Sequence, residues 1–330
     1  MKKFMNTAET MVAESLDGFV RAHEDFVVFG ADRRFVRRRH LVPGKVAIIS
    51  GGGAGHEPMH IGFVGRGMLD AACVGHIFTS PTPDQIVGAI EETDTGAGCL
   101  LVVKNYDGDV MNFEMAAEMA SSRHKIEMVI VSDDVETART RDGRGRRGVA
   151  GTVIVERLLG AAAEKGMALA ELKALAGDLS PRIRSMGVAL TGVTVPHTQR
   201  STFALGPGEI EMGVGIHGEP GHEREPFSNA DAIITHLSET VFNEVAPVAD
   251  KALLFVNGLG GTPPAELYLA YNTAHRFMTD HDLRIVRSLV GTYATSLDMQ
   301  GLSVTLAILR EDELLLWDSP VATAALRWGC

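Results

Sequence analysis

At 330 residues, with 45% apolar and 22% charged side chains, the chain has the length of two globular domains and the composition of an ordinary soluble enzyme. A formal net charge of −11 argues against an extended nucleic-acid surface, and Glu9, Glu14 and Asp17 interrupt any signal-like apolar region behind Met1, Lys2 and Lys3. No later run is apolar for long enough to span a membrane, and Cys73, Cys99 and Cys330 have no metal-type spacing, so the reduced cytoplasm is the expected compartment.

In chain order, the first marked feature is a basic cluster of Arg33, Arg34, Arg37, Arg38, Arg39 and His40, which reads as a solvated, charge-balanced edge. Residues 46–49 then form an apolar run of the kind a parallel strand needs when both its faces are covered. The run leads straight into Gly51, Gly52, Gly53, Ala54 and Gly55, and then His56, as VAIISGGGAGHEPMH over residues 46–60. Small residues after the carboxyl end of a strand let main-chain N–H groups and a ligand come close, which makes this a site position.

Rival readings of this stretch fail on chemistry. The letters from His56 to His60 match H-E-x-x-H, the zinc-protease helix, but proline is tolerated only in the first turn of a helix. Pro58 therefore leaves His56 in the preceding loop, off the face that carries His60. A phosphate-binding P-loop needs lysine and a hydroxyl after the glycines, where this chain has His56 and Glu57. No metal is expected here.

Strand-like runs at 99–103 and 128–131 alternate with helical patterns at 84–92 and 113–120, which is the pattern of an α/β sheet. Lys104-Asn105-Tyr106-Asp107-Gly108-Asp109 follows the run at 99–103 directly. Because the carboxyl ends of parallel strands lie together, His56, Lys104 and Asp109 are expected along one crevice. Asp107 and Asp109 lack the neighbouring carboxylates that a shell of about six oxygens would need. Helices are predicted at 151–165, apolar at Val153, Val155, Leu158 and Leu159, and at 168–176.

After Pro181 the pattern changes to strands at 188–195, 253–256, 283–286 and 302–309, with a helix at 264–278 between them. The expected organisation is an N-terminal α/β domain over 1–182, with the glycine-rich loop, and a C-terminal α/β domain over 183–330. Each is predicted to be a mixed or mostly parallel sheet flanked by helices. In the second domain GVGIHGEPG, residues 213–221, sets His217 between glycines. That flanking opens both sides of the ring and favours a ligand contact over an ordinary polar role. Glu211, Glu219, His222 and Glu223 add polarity with no metal geometry.

Taken together these motifs carry a family resemblance. SGGGAGHEPMH at 50–60, HIFTSPTPDQI at 76–86, KNYDGDVMNFE at 104–114, GRRGVAGT at 145–152 and GVGIHGEPG at 213–221 occur in order. NGLGGTPPAELY at 257–268, TSLDMQGLS at 295–303 and LWDSPVATAALRWG at 316–329 follow them. Over nearly its whole length the chain resembles the substrate-binding K subunit of the dihydroxyacetone kinase family.

The resemblance implies a mechanism. His217 would add through an imidazole nitrogen to the ketone of dihydroxyacetone or a related small ketose and hold it as a hemiaminal. Asp109 would take the proton of the terminal hydroxyl or hold it in line with the incoming phosphoryl group, while His56 bonds the substrate and shares the acid–base role. Lys104 and the Gly53-Ala54-Gly55 backbone would complete the pocket. Covalent capture makes a carbonyl the entry requirement, so glycerol is rejected by reaction and not by fit. An imidazole with an unperturbed pKa of about 6.5 is largely neutral at cytoplasmic pH, as attack requires. Phosphoryl transfer is mostly positioning and charge stabilisation, and a pinned acceptor serves both.

The implied enzyme is a phosphotransferase with an alcohol acceptor. It would be a cytoplasmic homodimer active only with a separate L subunit that carries adenine nucleotide and magnesium, with no cofactor on this chain and neither nucleic acid nor membrane as a partner. ATP or a phosphotransferase protein would supply the phosphate. Arg144, Arg146 and Arg147 are candidates for docking that partner, beside a plain solvated basic turn. Ala54 stands where family members commonly have serine, Asp107 adds a carboxylate, and segment 231–251 is shorter than in many relatives. A tetrulose or branched ketose is therefore an alternative substrate. A non-catalytic transcriptional coactivator that senses dihydroxyacetone is the alternative class, and the retained Asp109 and His56 favour the kinase.

Overall fold

The computed structural model describes residues 2–136, 145–221 and 223–330, so Arg144 and His222 lie outside the described residues. The chain divides into two compact units. The first holds Lys2–Val131, Ile154–Asp178 and Asp312–Cys330, and the second holds Ser132–Val153 and Leu179–Glu311.

The first unit opens with helix α1 (Met11–Ala22) and strands β1 (Val27–Phe29), β2 (Phe35–Arg38), β3 (Ala47–Ala54), β4 (Gly65–Arg66) and β5 (Ala71–Ile77). Helix α2 (Pro83–Thr93), strand β6 (Cys99–Lys104), helix α3 (Asp107–Ala120) and strand β7 (Ile126–Val131) follow. Helices α4 (Gly151–Glu164) and α5 (Leu169–Leu179) come next, the first three residues of α4 belonging to the second unit. Six strands make one mixed sheet in the order β1-β2-β5-β3-β6-β7. Its central part is parallel, with Ala47 opposite Cys99 and Ile49 opposite both Leu101 and Ala71. One face packs Ile49, Leu101 and Val103 against Ile86 and Ile90 of α2 and Phe113 and Ala116 of α3. Ile48, Leu100 and Val102 point the other way and are as deeply buried, which is why these strands read as continuous apolar runs. Helix α2 starts where Thr82 and Gln85 form a reciprocal cap with Pro83 in the first turn.

The second unit contributes β8 (Ile183–Ala189), β9 (Thr194–Val195), β10 (Arg200–Ser201), β11 (Glu209–Met212) and β12 (Glu223–Pro226). After these come α6 (Ala230–Glu244), β13 (Lys251–Gly258), α7 (Pro264–Asp280), β14 (Arg284–Gly291) and β15 (Gly301–Ile308). The sheet order is β12-β11-β8-β15-β13-β14, with β13 and β14 parallel and the other neighbours antiparallel. Ile233, Leu237 and Val241 of α6 and Leu267, Ala270 and Ala274 of α7 cover Val188, Leu254, Val256 and Val304. The chain ends in α8 (Glu311–Trp317), β16 (Val321–Thr323) and β17 (Arg327–Trp328), and β16 pairs with β4.

The class predicted from the sequence, two α/β domains with mixed sheets, holds. Three local expectations are corrected. The glycine run Gly51, Gly52, Gly53 is not a loop after the strand but the second half of β3. Helix α3 begins at Asp107, so Asp107, Gly108 and Asp109 form a helical first turn. The strand expected at 188–195 lies at Ile183–Ala189, where β15 pairs with it from Ile183↔Ala307 to Ala189↔Gly301, and α6 adds a helix that the sequence reading did not include.

Candidate active site

The glycines of β3 are there to admit neighbours. A Cβ at Gly52 would collide with the Nζ of Lys104, one at Gly51 with the backbone of Cys73, and one at Gly53 with the backbone of Phe78 and Thr79. Parallel pairing of β3 with β6 brings Lys104, the last residue of β6, across the glycine strand, where its Nζ donates to the Gly51 carbonyl at 3.2 Å. The close backbone approach that the sequence implied is thus made by a buried ammonium on one side and the segment after β5 on the other.

Lys104 is the hub of a buried polar cluster. Its Nζ donates to His60 Nε2 at 3.0 Å and forms an ion pair with Asp109 Oδ2 at 3.2 Å, the two side chains being 0% and 4% exposed. Asp109 sits in the first turn of α3, where the helix dipole and free N–H groups favour a carboxylate. Beyond that ion pair, its Oδ2 accepts no hydrogen bond among the described residues. On the far side of the ring, His60 Nδ1 lies 2.6 Å from Glu156 Oε1 and 3.1 Å from Ser50 Oγ, whose own hydroxyl donates to the Val102 carbonyl at 2.8 Å. Burial, reinforced by the Lys104 charge, holds the His60 pKa well below the usual histidine value. Burial pushes the Glu156 carboxyl up to about 8.

His56 is fully buried at the end of the glycine strand, its ring stacked on Phe78 with centroids 5.2 Å apart. The Phe78 N–H donates to the Ala54 carbonyl at 3.0 Å, which ties HIFTSPTP to the end of β3. Residues 56–60 form turns and no helix, so the two histidines of H-E-x-x-H share no helical face. Gly55 has a φ of 101° and donates its N–H to the Glu57 carboxylate at 3.0 Å, while burial raises the Glu57 pKa. Among the described residues no group of three His, Cys, Asp or Glu side chains is placed to hold a metal, and no helix is long and apolar enough to cross a membrane.

The second unit carries His217 on the loop between β11 and β12, half-buried, with its backbone N–H donating to Glu219 Oε2 at 2.7 Å. The flanking glycines do not leave open space as expected from sequence. A Cβ at Gly215 would strike Glu219, and one at Gly218, where φ is 73°, would strike Val193. The loop is held by Arg147, which donates to the Gly213 carbonyl at 2.7 Å, meets Glu219 Oε1 at 3.3 Å and pairs with buried Asp134 at 2.6 Å. Arg147 is thus engaged within the chain, as is Arg146, which pairs with Glu244 at 2.7 Å. Asp107, the extra carboxylate, is exposed, whereas Asp109 is buried.

His60, Glu156 and Ser50 were not singled out as functional from the sequence. A signal for Glu156 was present, a charged Glu156-Arg157 pair inside the apolar run of α4, and both side chains are fully buried.

The Dak1 domain family matches residues 17–325. The chain belongs to the Dak1 domain family. Among Dak1 relatives, the PTS-dependent dihydroxyacetone kinase 1, dihydroxyacetone-binding subunit DhaK, of Listeria innocua is 45% identical over 328 residues, covering 98% of this chain and 100% of its own length. The solved structure of the dihydroxyacetone kinase operon co-activator Dha-DhaQ superposes with a TM-score of 0.90 at 33% identity, covering 94% of this chain and 97% of the other. The dihydroxyacetone kinase from C. freundii in complex with AMP-PNP and Mg2+ gives a TM-score of 0.89 at 34% identity, covering 99% of this chain and 61% of that protein.

Proposed function

We propose that this Dak1 chain is the substrate-binding subunit of a dihydroxyacetone-type kinase, a phosphotransferase that acts on a small ketose with a nucleotide-bearing partner. The observation that carries this reading is Asp109. It is a buried carboxylate in a helical first turn, fixed by Lys104 at 3.2 Å from Oδ2, and beyond that ion pair Oδ2 accepts no hydrogen bond among the described residues. Such a group has acceptor capacity for a substrate hydroxyl and can take its proton as the phosphoryl group arrives. Relatives named as dihydroxyacetone-binding subunits support the substrate class, and the AMP-PNP and Mg2+ of the C. freundii kinase support adenine nucleotide and magnesium on the partner. The proposal includes a cytoplasmic homodimer, which sedimentation of the purified chain would test.

His217 is the covalent anchor in this reading. A neutral imidazole nitrogen bonds to the ketone carbon, the C=O bond becomes C–OH, and the ring proton is passed on to that oxygen, so the adduct contains the whole ketose with nothing released. Lys104, His56 and the Gly53-Ala54-Gly55 backbone bind substrate beside Asp109. His217→Ala should abolish the intact-mass gain of one ketose, and Asp109→Asn should keep that gain and lose at least ~100-fold in turnover.

The same fold in an operon co-activator favours a second reading, a ketose-sensing partner of a transcription factor. Mixing the purified chain with L subunits fed by ATP or by a phosphotransferase protein, and offering dihydroxyacetone or a tetrulose, separates the two. Phosphate transfer to either ketose supports the kinase and names its substrate. Adduct formation with no transfer in any pairing overturns the kinase.

A further inference from the structure

Behind Asp109 a line of four polar side chains runs through the interior of the first unit: Glu156, His60, Lys104 and Asp109. Glu156 Oε1 to His60 Nδ1 is 2.6 Å, His60 Nε2 to Lys104 Nζ is 3.0 Å, and Lys104 Nζ to Asp109 Oδ2 is 3.2 Å. The four side chains are 0%, 3%, 0% and 4% exposed in that order. Taking such groups out of water is costly, and an apolar set of similar volume would fill the same space at less cost.

The direction of each bond follows from what each atom can do. An ammonium has only protons to give, so His60 Nε2 must present its lone pair to Lys104, and the ring is neutral with its proton on Nδ1. That proton faces Glu156 Oε1, and Ser50 Oγ is the other oxygen in reach. Glu156 therefore selects the tautomer, the tautomer supplies the acceptor, and the acceptor, with the Gly51 carbonyl, fixes the ammonium that pairs with Asp109.

We infer that His60 and Glu156 are positioning residues for phosphoryl transfer: they hold the Lys104 ammonium in one place and through it fix the Asp109 carboxylate against the substrate hydroxyl. The inference rests on the reading of Asp109 as the group that receives that hydroxyl's proton. Both residues act through Lys104, so their loss falls on kcat more than on KM.

Two substitutions at one position separate positioning from simple packing. Glutamine in place of His60 can set its side-chain oxygen near the position of Nε2 and keep an acceptor for Lys104. Asparagine reaches only as far as Nδ1 and removes that acceptor. With L subunit and saturating nucleotide, His60→Asn should lower kcat by ~10–100-fold with KM within about threefold, and His60→Gln should stay within a few fold of the parent on both. Glu156→Gln, which still accepts from Nδ1, should stay within a few fold of the parent, whereas Glu156→Leu, which cannot, should lower kcat as His60→Asn does; a folded Glu156→Leu with parental kcat would overturn the role of Glu156. Equal losses in His60→Asn and His60→Gln, or a folded His60→Asn with parental kcat, would overturn the inference. Asp109→Asn in the same assay tests the underlying reading: if it turns over normally, the base assignment falls; if it is dead while His60→Asn is fully active, only the positioning role falls. Nitrogen NMR of histidine-labelled parent protein gives a test that needs no variant. The expected signal is a neutral ring protonated on Nδ1, and a ring protonated on Nε2 or on both nitrogens contradicts the inference.

Discussion

A methyl group added at position 52 and one added at position 53 would meet very different neighbours. At Gly52 the obstacle is the far end of the Lys104 side chain, which can swing aside, whereas at Gly53 it is the backbone of Phe78 and Thr79, which cannot. Gly52→Ala should therefore push the ammonium off its buried partner Asp109, depressing kcat and costing ~3–5 kcal/mol as a broken buried ion pair. Gly53→Ala should lose ~1–3 kcal/mol or more from overpacking against fixed atoms. Urea denaturation beside a turnover assay checks the pair, and a Gly52→Ala variant with parental stability and kcat would contradict the division of labour along β3. Ala54 lies in a buried environment at 5% exposure, so a serine hydroxyl at this position would need a partner.

At the scale of elements, what could be read from the sequence was what each segment carries in its own pattern. The apolar runs of β3 and β6 declared strands covered on both faces, and the two strands pair in parallel; Lys104 and Asp109, on the segment that leads from β6 into α3, meet as an ion pair. What the sequence did not yield was decided by partners distant in the chain. Glycines 51, 52 and 53 lack strand propensity and read as a loop, yet hydrogen bonding to β5 keeps them extended. His60 looked like half of a zinc motif because its partners Glu156 and Lys104 lie 96 and 44 residues away. Helix α6 had its own signal, an Asn229 cap accepting from the Ala232 N–H at 2.9 Å and apolar residues at 233, 234, 237 and 241, but it falls among strands. Arg147, in a basic turn that the sequence leaves open between a docking candidate and a solvated turn, clamps the His217 loop. Arg147→Met leaves Asp134 buried without its cation, and burial already pushes the Asp134 pKa up to about 6. Below that value the carboxyl can answer by staying protonated. The destabilisation should therefore be larger at pH 8, ~3–5 kcal/mol, than at pH 5.5. Denaturation at the two pH values checks this, and Arg147→Met should also weaken ketose retention measured by intact mass.

For the whole molecule, the buried ionisable groups set how stability depends on pH. His60 is held well below the usual histidine pKa, so below about 6.5 the unfolded chain binds a proton that the folded chain refuses, and stability is lost as pH falls through that region. Glu156 acts in the opposite sense. Its folded pKa of about 8 lies above the unfolded value, so between the two values the folded state holds the extra proton and stability declines as pH rises, by at most ~1.4 kcal/mol per unit. Asp134, raised to about 6, has finished its similar contribution by then, and burial shifts the Cys73 and Cys99 thiols upward so that they act only in alkali. Between about 4.5 and 6.5 the His60 and Glu156 effects oppose one another; from about 6.5 to 8 the Glu156 effect stands without that opposition. Thermal denaturation across pH 5–9 should therefore show a midpoint that declines most clearly over that upper window. Glu156→Gln, which cannot ionise, should flatten the decline and gain on the parent at pH 9. A parent curve flat from 6.5 to 8, or an undiminished slope in the glutamine variant, would mean that the buried carboxyl is not neutral in the folded chain.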